Sequence, residues 1–252
     1  MKIFLDSADI KEIASTKKIG LLEGITTNPS LIKKAMQIYK NKISVENYIK
    51  NILKVDRKIP VSIEVIGDTY EEMMKEGKNV FVRFKKYGNV YIKIPVNPCM
   101  EQECTTNADG IKAIKSLTQL KIPVNCTLIF TPEQALLAAK AGAKIVSPFL
   151  GREDDYIKEI KRKNDNGIVS GIDLLKKCIA IIRKNKLKTQ VLAASIRTPQ
   201  QFRNAALIGA DIITLPYNLI LKLLVHKKTM QGMQQFTKDT ISEYKKLVRN
   251  EK

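Results

Sequence analysis

The chain has a single histidine, no tryptophan, four cysteines and no apolar run long enough to span a bilayer. With His226 alone, Ser-His-Asp catalysis and multi-histidine metal sites are all but excluded, so acid/base chemistry falls to Asp, Glu, Lys or Tyr. Cys99 and Cys104 are separated by four residues, with no second pair or histidine cluster to complete a zinc site. Free thiols in a reducing compartment are therefore expected. Between Lys2 and Asp6 stand only three apolar residues, too few for a secretory signal. A soluble, cytoplasmic protein with no membrane partner is the expectation.

Acidic residues are also scarce, 25 against 44 Lys and Arg, which leaves a net charge of +19. Such a balance suits nucleic acid, a membrane surface or an anionic metabolite. The basic residues are scattered in pairs such as Lys17-Lys18, Lys85-Lys86 and Lys227-Lys228, without one dense stripe. The pattern reads as a lysine-rich solvated surface, and no nucleic-acid partner is expected.

What is present is repetition. At 252 residues and 44% hydrophobic content, the chain can fill one large core. Eight short apolar runs recur: Lys2 to Leu5, Gly24 to Thr26, Val61 to Val65, Val90 to Ile94, Val124 to Leu128, Lys144 to Ser147, Gln190 to Ala194 and Ile212 to Leu215. Helical patterns fill the gaps, among them Val45 to Val55, Asp109 to Leu117 and Ile172 to Ile182. That alternation predicts an α/β fold, a single (β/α)8 TIM barrel over 1–252 with a C-terminal helix over 230–248. Thr131-Pro132 and Thr198-Pro199 each open a helix with a Thr cap, a Pro and a later Gln, and each helix runs to a Gly-Ala pair.

In the fourth run, Asn89-Val90-Tyr91-Ile92-Lys93-Ile94-Pro95, alternation sets Lys93 on the face opposite Val90, Ile92 and Ile94. A lysine there either snorkels at an exposed edge or is held inside. Barrels of this kind place function at the C-terminal strand ends, and seven of the eight ends carry polar groups. These are Asp6; Thr26, Thr27 and Asn28; Glu64; Lys93; Asn125 and Thr127; Ser147 with Phe149 and Arg152 beyond it; and Ser195 with Arg197.

Unpaired buried charge is too costly for core packing to explain such a set. A lysine among low-dielectric strands, near Arg152 or Arg197, would have its ammonium form disfavoured and could attack a carbonyl to give a Schiff base. Asp6 and Glu64 are then candidates for proton transfer in C–C cleavage, with Asn125 and Thr127 holding a water or the Schiff-base region. Ser195 and Arg197 end the seventh strand, where barrels commonly bind phosphate, and Arg152 is a second bidentate donor. A phosphorylated carbonyl substrate follows, and the chemistry needs neither metal nor cofactor. Singly, each residue has a plainer role: Asp6 as a helix cap, Glu64 as partner of a surface lysine, Arg152-Glu153-Asp154-Asp155 as a solvated turn.

The blocks Phe4-Leu5-Asp6-Ser7-Ala8, Gly24-Ile25-Thr26-Thr27-Asn28-Pro29-Ser30, Ile92-Lys93-Ile94-Pro95, Asn125-Cys126-Thr127-Leu128, Ser147-Pro148-Phe149 with Arg152, and Ala194-Ser195-Ile196-Arg197 resemble the transaldolase family, especially its short members. The resemblance runs from residue 1 to about 235. It implies a class I aldol mechanism, with Lys93 as nucleophile, Asp6 as acid/base, and Glu64 with Thr127 on the catalytic water. It also implies that Asn28 and Asn125 surround the dihydroxyacetone unit, that Thr27, Ser147 and Phe149 bind substrate, and that Arg152, Ser195 and Arg197 hold phosphate.

The family divides into transaldolases of the non-oxidative pentose phosphate pathway and fructose-6-phosphate aldolases, which carry Gln and Tyr in place of Glu64 and Phe149. Those two residues favour the transaldolase. An alternative of another class is a non-catalytic basic barrel binding nucleic acid or a protein. The segment 96–107 is longer than short members carry, and is read as a surface loop. Met233, Phe236, Thr240, Tyr244 and Leu247 recur at helical spacing, which suits packing on a neighbour in a homo-oligomer or on the parent barrel.

Overall fold

The computed structural model describes residues 1–38, 43–98 and 108–249. Most of the 96–107 segment, including Cys99 and Cys104, lies outside the described residues.

Eight parallel strands close into a barrel in sequence order: β1 (Lys2–Asp6), β2 (Ile25–Thr26), β3 (Pro60–Glu64), β4 (Asn89–Pro95), β5 (Val124–Ile129), β6 (Ile145–Pro148), β7 (Gln190–Ala193) and β8 (Ile212–Leu215). Closure leaves no free sheet edge. Between the strands run α1 (Ile10–Ile19), α2 (Pro29–Ile38), α3 (Val45–Val55), α4 (Tyr70–Phe84), α5 (Asp109–Gln119), α6 (Pro132–Ala141), α7 (Leu150–Glu159), α8 (Gly171–Lys184) and α9 (Pro199–Leu207). The chain continues through α10 (Tyr217–Leu223), α11 (Lys227–Lys238) and α12 (Ser242–Arg249). The (β/α)8 barrel expected from the eight apolar runs is the observed fold.

Residue parity divides each strand between two environments. Ile92, Ile94, Val124, Cys126, Val146, Val191 and Ile213 are all fully buried and have the outward parity, under the helices. Gly77 of α4 shows how close that layer is, because a Cβ there would lie 3.1 Å from Leu117 of α5 and 3.3 Å from Ile92. Each such aliphatic side chain contributes about 1.5–3 kcal/mol by leaving water. Inside, Phe4, Ile145, Leu192 and Ile212 pack together with Tyr91 against them, and close the barrel below its polar end. Gly24 exists for that plug: a Cβ would meet the Phe4 ring at 2.4 Å.

Side-chain caps set the helix starts. Asp9, Ser44, Thr69, Thr131, Ser170 and Thr198 each accept an amide of the first turn. Asp9 caps α1, which leaves Asp6 free of that duty. The Thr131–Gln134 pair forms a full capping box. In its counterpart the Gln201 carbonyl oxygen instead takes the Arg197 amide at 2.8 Å, while its amide donates to Asp154.

Residue contacts group the chain into Met1–Tyr217 and Asn218–Lys252. One difference concerns the C-terminal region. The helix expected over 230–248 is broken between Lys238 and Ser242. Asp239 caps α11, the Thr240 hydroxyl donates back to the Phe236 carbonyl, and β-branched Thr240 and Ile241 favour the interruption. Among the described residues no helix is long and apolar enough to cross a membrane.

Candidate functional site

The inward polar residues meet in a cavity of about 110 Å3 at the C-terminal end of the barrel. Lys93 points into it. Its residue is 5% exposed, and its ammonium donates to Glu64 Oε2 at 3.0 Å and to the Thr27 carbonyl at 3.2 Å. Register produces the first contact, since Glu64 and Lys93 are direct partners on β3 and β4. The lysine is therefore held inside, and its neighbour is a carboxylate where Arg152 or Arg197 had been expected.

Asp6 faces the same cavity from β1. Burial pushes its carboxyl up from the ordinary value, against the Thr26 hydroxyl bond and the positive charges of Lys93 and Arg152, which act the other way. Thr26 donates to Asp6 Oδ1 at 2.7 Å.

The floor is a buried amide network. Asn125 Nδ2 donates to Ser62 Oγ at 3.1 Å, and the Ser147 hydroxyl donates to Asn125 Oδ1 at 2.7 Å. Asn125 cannot rotate its amide without breaking both bonds. Asn28 lines the cavity as well, with its oxygen on the Leu31 amide at 2.9 Å. Thr27 sends its hydroxyl to the Ser62 carbonyl at 2.8 Å, so only its backbone reaches Lys93.

Thr127 is fully buried, and its hydroxyl has no hydrogen-bond partner among the described residues. It follows Asn125 by two positions and shares its parity. A β-bulge between Cys126 and Ile129, with Leu128 at φ 57, ends the regular pairing just beyond it.

Arg152, Phe149 and Ser195 build the remaining wall. The Arg152 guanidinium lies 5.3 Å from the Phe149 ring centroid, a cation–π contact that fixes its stem. Ser195 has φ 58, in the left-handed region that a non-glycine residue rarely adopts. That turn brings the β7 end onto α7, where the Leu150 and Gly151 amides donate to the Ala194 and Ser195 carbonyls at 2.9 and 3.0 Å. Gly151 is required by this approach, because a Cβ would sit 2.5 Å from the Ser195 oxygen and 2.6 Å from Arg197 Nε.

Eight of the twelve sequence-predicted residues line the cavity, and Glu64 joins them through Lys93. Arg197 does not: its guanidinium is half-exposed on the rim, paired with Asp155 at 2.6 Å. The charged turn also divides. Glu153 is fully buried with neither oxygen bonded among the described residues, and burial together with Asp165 and Asp154 pushes its carboxyl up to about 7. Sequence reasoning missed Ser62 and Thr214 and left Thr26 without a role. All three have the inward parity of Glu64 and Asp6, the signal that would have found them. Cys126 and Cys178 are free and buried, and burial together with Glu133 holds the Cys178 thiol at about 12, so neither is poised as a nucleophile.

A lysine and two carboxylates around a small polar cavity, with an arginine at its wall, can form an imine and move protons. Comparison with known proteins bears on which chemistry this is. A solved mandelate oxidase variant with a monooxide FMN adduct superposes with a TM-score of 0.50 at 15% identity. It covers 86% of this chain, which spans 64% of the oxidase, and that likeness speaks for the barrel alone.

Sequence relatives are nearer. A protein of Nitrosopumilus maritimus described as "probable transaldolase" is 43% identical over 242 residues, 95% of this chain and 94% of the relative. Proteins of the same description from Thermoplasma acidophilum and Brucella melitensis are 39% and 42% identical, each over 95% of this chain and at least 95% of their own length. The profile of the transaldolase/fructose-6-phosphate aldolase family matches residues 3–252. The chain, a barrel with an inward lysine on its fourth strand, belongs to the transaldolase/fructose-6-phosphate aldolase family.

Proposed function

We propose that the protein is a transaldolase working through a Schiff base on Lys93. The observation that carries this is the buried Lys93 ammonium, 3.0 Å from Glu64, in a cavity that Asp6 also lines. Glu64 takes the ammonium proton, and the neutral amine adds to the C2 carbonyl of a ketose phosphate, sedoheptulose 7-phosphate. Loss of water gives the iminium. The Asp6 carboxylate accepts the C4 hydroxyl proton as the C3–C4 bond breaks, and that electron pair enters the iminium to form an enamine.

Erythrose 4-phosphate leaves. The enamine then attacks the aldehyde of glyceraldehyde 3-phosphate, Asp6 returns its proton to the new alkoxide, and water releases fructose 6-phosphate and Lys93. Thr127, buried with a hydroxyl unbonded among the described residues, suits a role with Glu64 in holding that water. Asn28, Asn125 and Ser147 suit the hydroxyls of the dihydroxyacetone unit. Arg152 and Ser195 suit the phosphate, and Arg197 reaches it on exchanging Asp155 for the substrate. The reaction belongs to the non-oxidative pentose phosphate pathway and to the cytoplasm.

Borohydride trapping tests the mechanism. With fructose 6-phosphate present, reduction should leave a three-carbon adduct on the peptide holding Lys93, and an unmodified Lys93 sinks the proposal. Dependence on acceptor aldehyde then separates the two activities of the family. Release of free dihydroxyacetone without acceptor marks an aldolase, and Glu64 with Phe149 favours the transferase.

A homo-oligomer is part of the proposal. Met230, Met233, Phe236, Tyr244 and Leu247 are all more than half exposed, an apolar set suited to a neighbouring subunit. Light scattering on a sizing column tests it, and a monomeric mass at micromolar concentration rejects it.

A further inference from the structure

Two cavity hydroxyls, Thr26 and Thr214, have no part in the chemistry proposed above. Thr26 Oγ1 lies 2.7 Å from Asp6 Oδ1 and 2.7 Å from Thr214 Oγ1. Both threonines are 3% exposed. The strand register brings the three together: Asp6 is opposite Thr26 across β1–β2, and Thr214 is opposite Phe4 across β1–β8. The three residues therefore sit on adjacent strands around one corner of the cavity.

A hydroxyl has one proton to give. An ionised carboxylate only accepts, so Thr26 spends its proton on Asp6 and its own oxygen must receive one from Thr214. The chain runs in one direction, Thr214 to Thr26 to Asp6. Once Asp6 carries a proton, the same three groups can run the opposite way, Asp6 to Thr26 to Thr214, with no heavy atom moving.

We infer that Thr214 is a positioning residue for Asp6: through Thr26 it orders the hydroxyl chain that aims the Asp6 carboxylate and sets its affinity for a proton. The inference deepens the proposed aldol chemistry, and rests on it only for what the Asp6 proton does. Donors in series polarise each other, each bond strengthened by roughly 10–30% in a low-dielectric setting. The chain favours ionised Asp6 and so opposes burial, which favours the neutral form. Lys93 from β4 and Arg152 from α7 are the cations that face Asp6, and Lys93 is itself paired with Glu64. Thr214 is thus a neutral control on a group already set between two charges, one that tunes proton affinity without altering the field a substrate phosphate meets.

Valine has the shape of threonine without its donor, so Thr214→Val isolates the hydroxyl. The test is a titration of the Asp6 carboxyl carbon by 13C NMR on the full chain, assigned with Asp6→Asn, in wild type, Thr214→Val and Thr214→Ser. Removing the terminal donor should move the Asp6 midpoint upward by roughly half a pH unit, and serine should restore it. The acidic limb of kcat/KM should move by the same amount in the same direction, with KM for the sugar phosphate little changed. An unmoved midpoint in Thr214→Val overturns the inference, and so does a shift that serine fails to reverse, since that would be a packing effect. Should Thr214→Val not fold, Thr214→Ala supplies the same comparison against serine. The NMR readout needs no turnover: a normal chain titration with no trapping on Lys93 rejects the aldol chemistry alone, and trapping with an unmoved midpoint rejects the chain alone.

Discussion

Lys93 and Glu64 stand directly opposite each other on neighbouring strands, and their charged ends meet at 3.0 Å with side chains only 7% and 14% exposed. Each charge there is tolerable because of the other. Glu64→Gln keeps a hydrogen-bond acceptor for Lys93 but removes the group proposed to take its proton. The variant is expected to fold, by circular dichroism, and to lose about 100-fold or more in transfer rate, the range for loss of general acid/base assistance. Activity within a few-fold of wild type would remove Glu64 from the mechanism.

Asp6 should reveal itself in pH dependence. Its carboxyl is raised by burial, so the base form is lost at a higher pH than for an exposed aspartate, whose ordinary value is about 3.9. As pH falls through the raised value, kcat/KM should drop in proportion. The stability effect has the opposite sense. A raised acid binds its proton more tightly folded than unfolded, so its contribution to stability declines as pH rises from the unfolded value through the folded one. Asp6→Asn should therefore be inactive yet melt at or above the wild-type temperature near pH 7. A variant that is inactive because it is unfolded would contradict this.

Gly151 allows α7 to touch the end of β7. Gly151→Ala forces a methyl against the Ser195 carbonyl and Arg197, and is expected to destabilise by about 1–3 kcal/mol, as overpacked sites do. Arg152 sits one residue further on and would move with the helix, so KM for phosphorylated sugars should rise more than kcat falls. Thermal melts and steady-state kinetics read the two effects separately, and unchanged values of both would contradict the close packing.

Glu153 is buried without a hydrogen-bond partner among the described residues, and its carboxyl is pushed up to about 7. Ionising it opposes folding, so stability should decline as pH rises from the ordinary glutamate value of about 4.3 towards 7. Glu153→Leu removes the penalty and should stabilise by about 1–3 kcal/mol at pH 8, the range for an unsatisfied buried polar group. The gain should shrink at pH 5. Equal gains at both pH values would show that apolar packing, and not titration, is responsible.

The fold was legible because its strands are short β-branched runs bounded by helices whose caps announce themselves; α3 was expected over Val45 to Val55 and is found there. Much of the site was legible for the same reason, since Asp6, Glu64, Lys93 and Asn125 each interrupt an apolar strand with a charge or an amide. Thr26, Ser62 and Thr214 escaped because hydroxyls are small enough to pass as core, and only strand parity betrays them. Glu153 escaped for a different reason. It stands in a run of charged residues that reads as a solvated turn, and Asp165, which helps to raise its carboxyl, comes near it only after folding. Arg197 was placed in the cavity by its sequence block, but its length lets it choose Asp155 on the rim. The break at Asp239 was hidden because the apolar spacing continues across it.

The Phe4 plug has a consequence for traffic. With Phe4, Ile145, Leu192 and Ile212 packed across the lower end, the cavity of about 110 Å3 lies at the polar end of the barrel. Ligand sites for whole small molecules run to hundreds of cubic ångströms, so in the proposed reaction this cavity holds the reacting end of one sugar at a time. In the transfer proposed above, the first aldehyde departs before the second arrives, and the three-carbon fragment has to be held during the exchange. Such an exchange calls for a tether, and the lysine on the fourth strand is anchored where a tether would have to be.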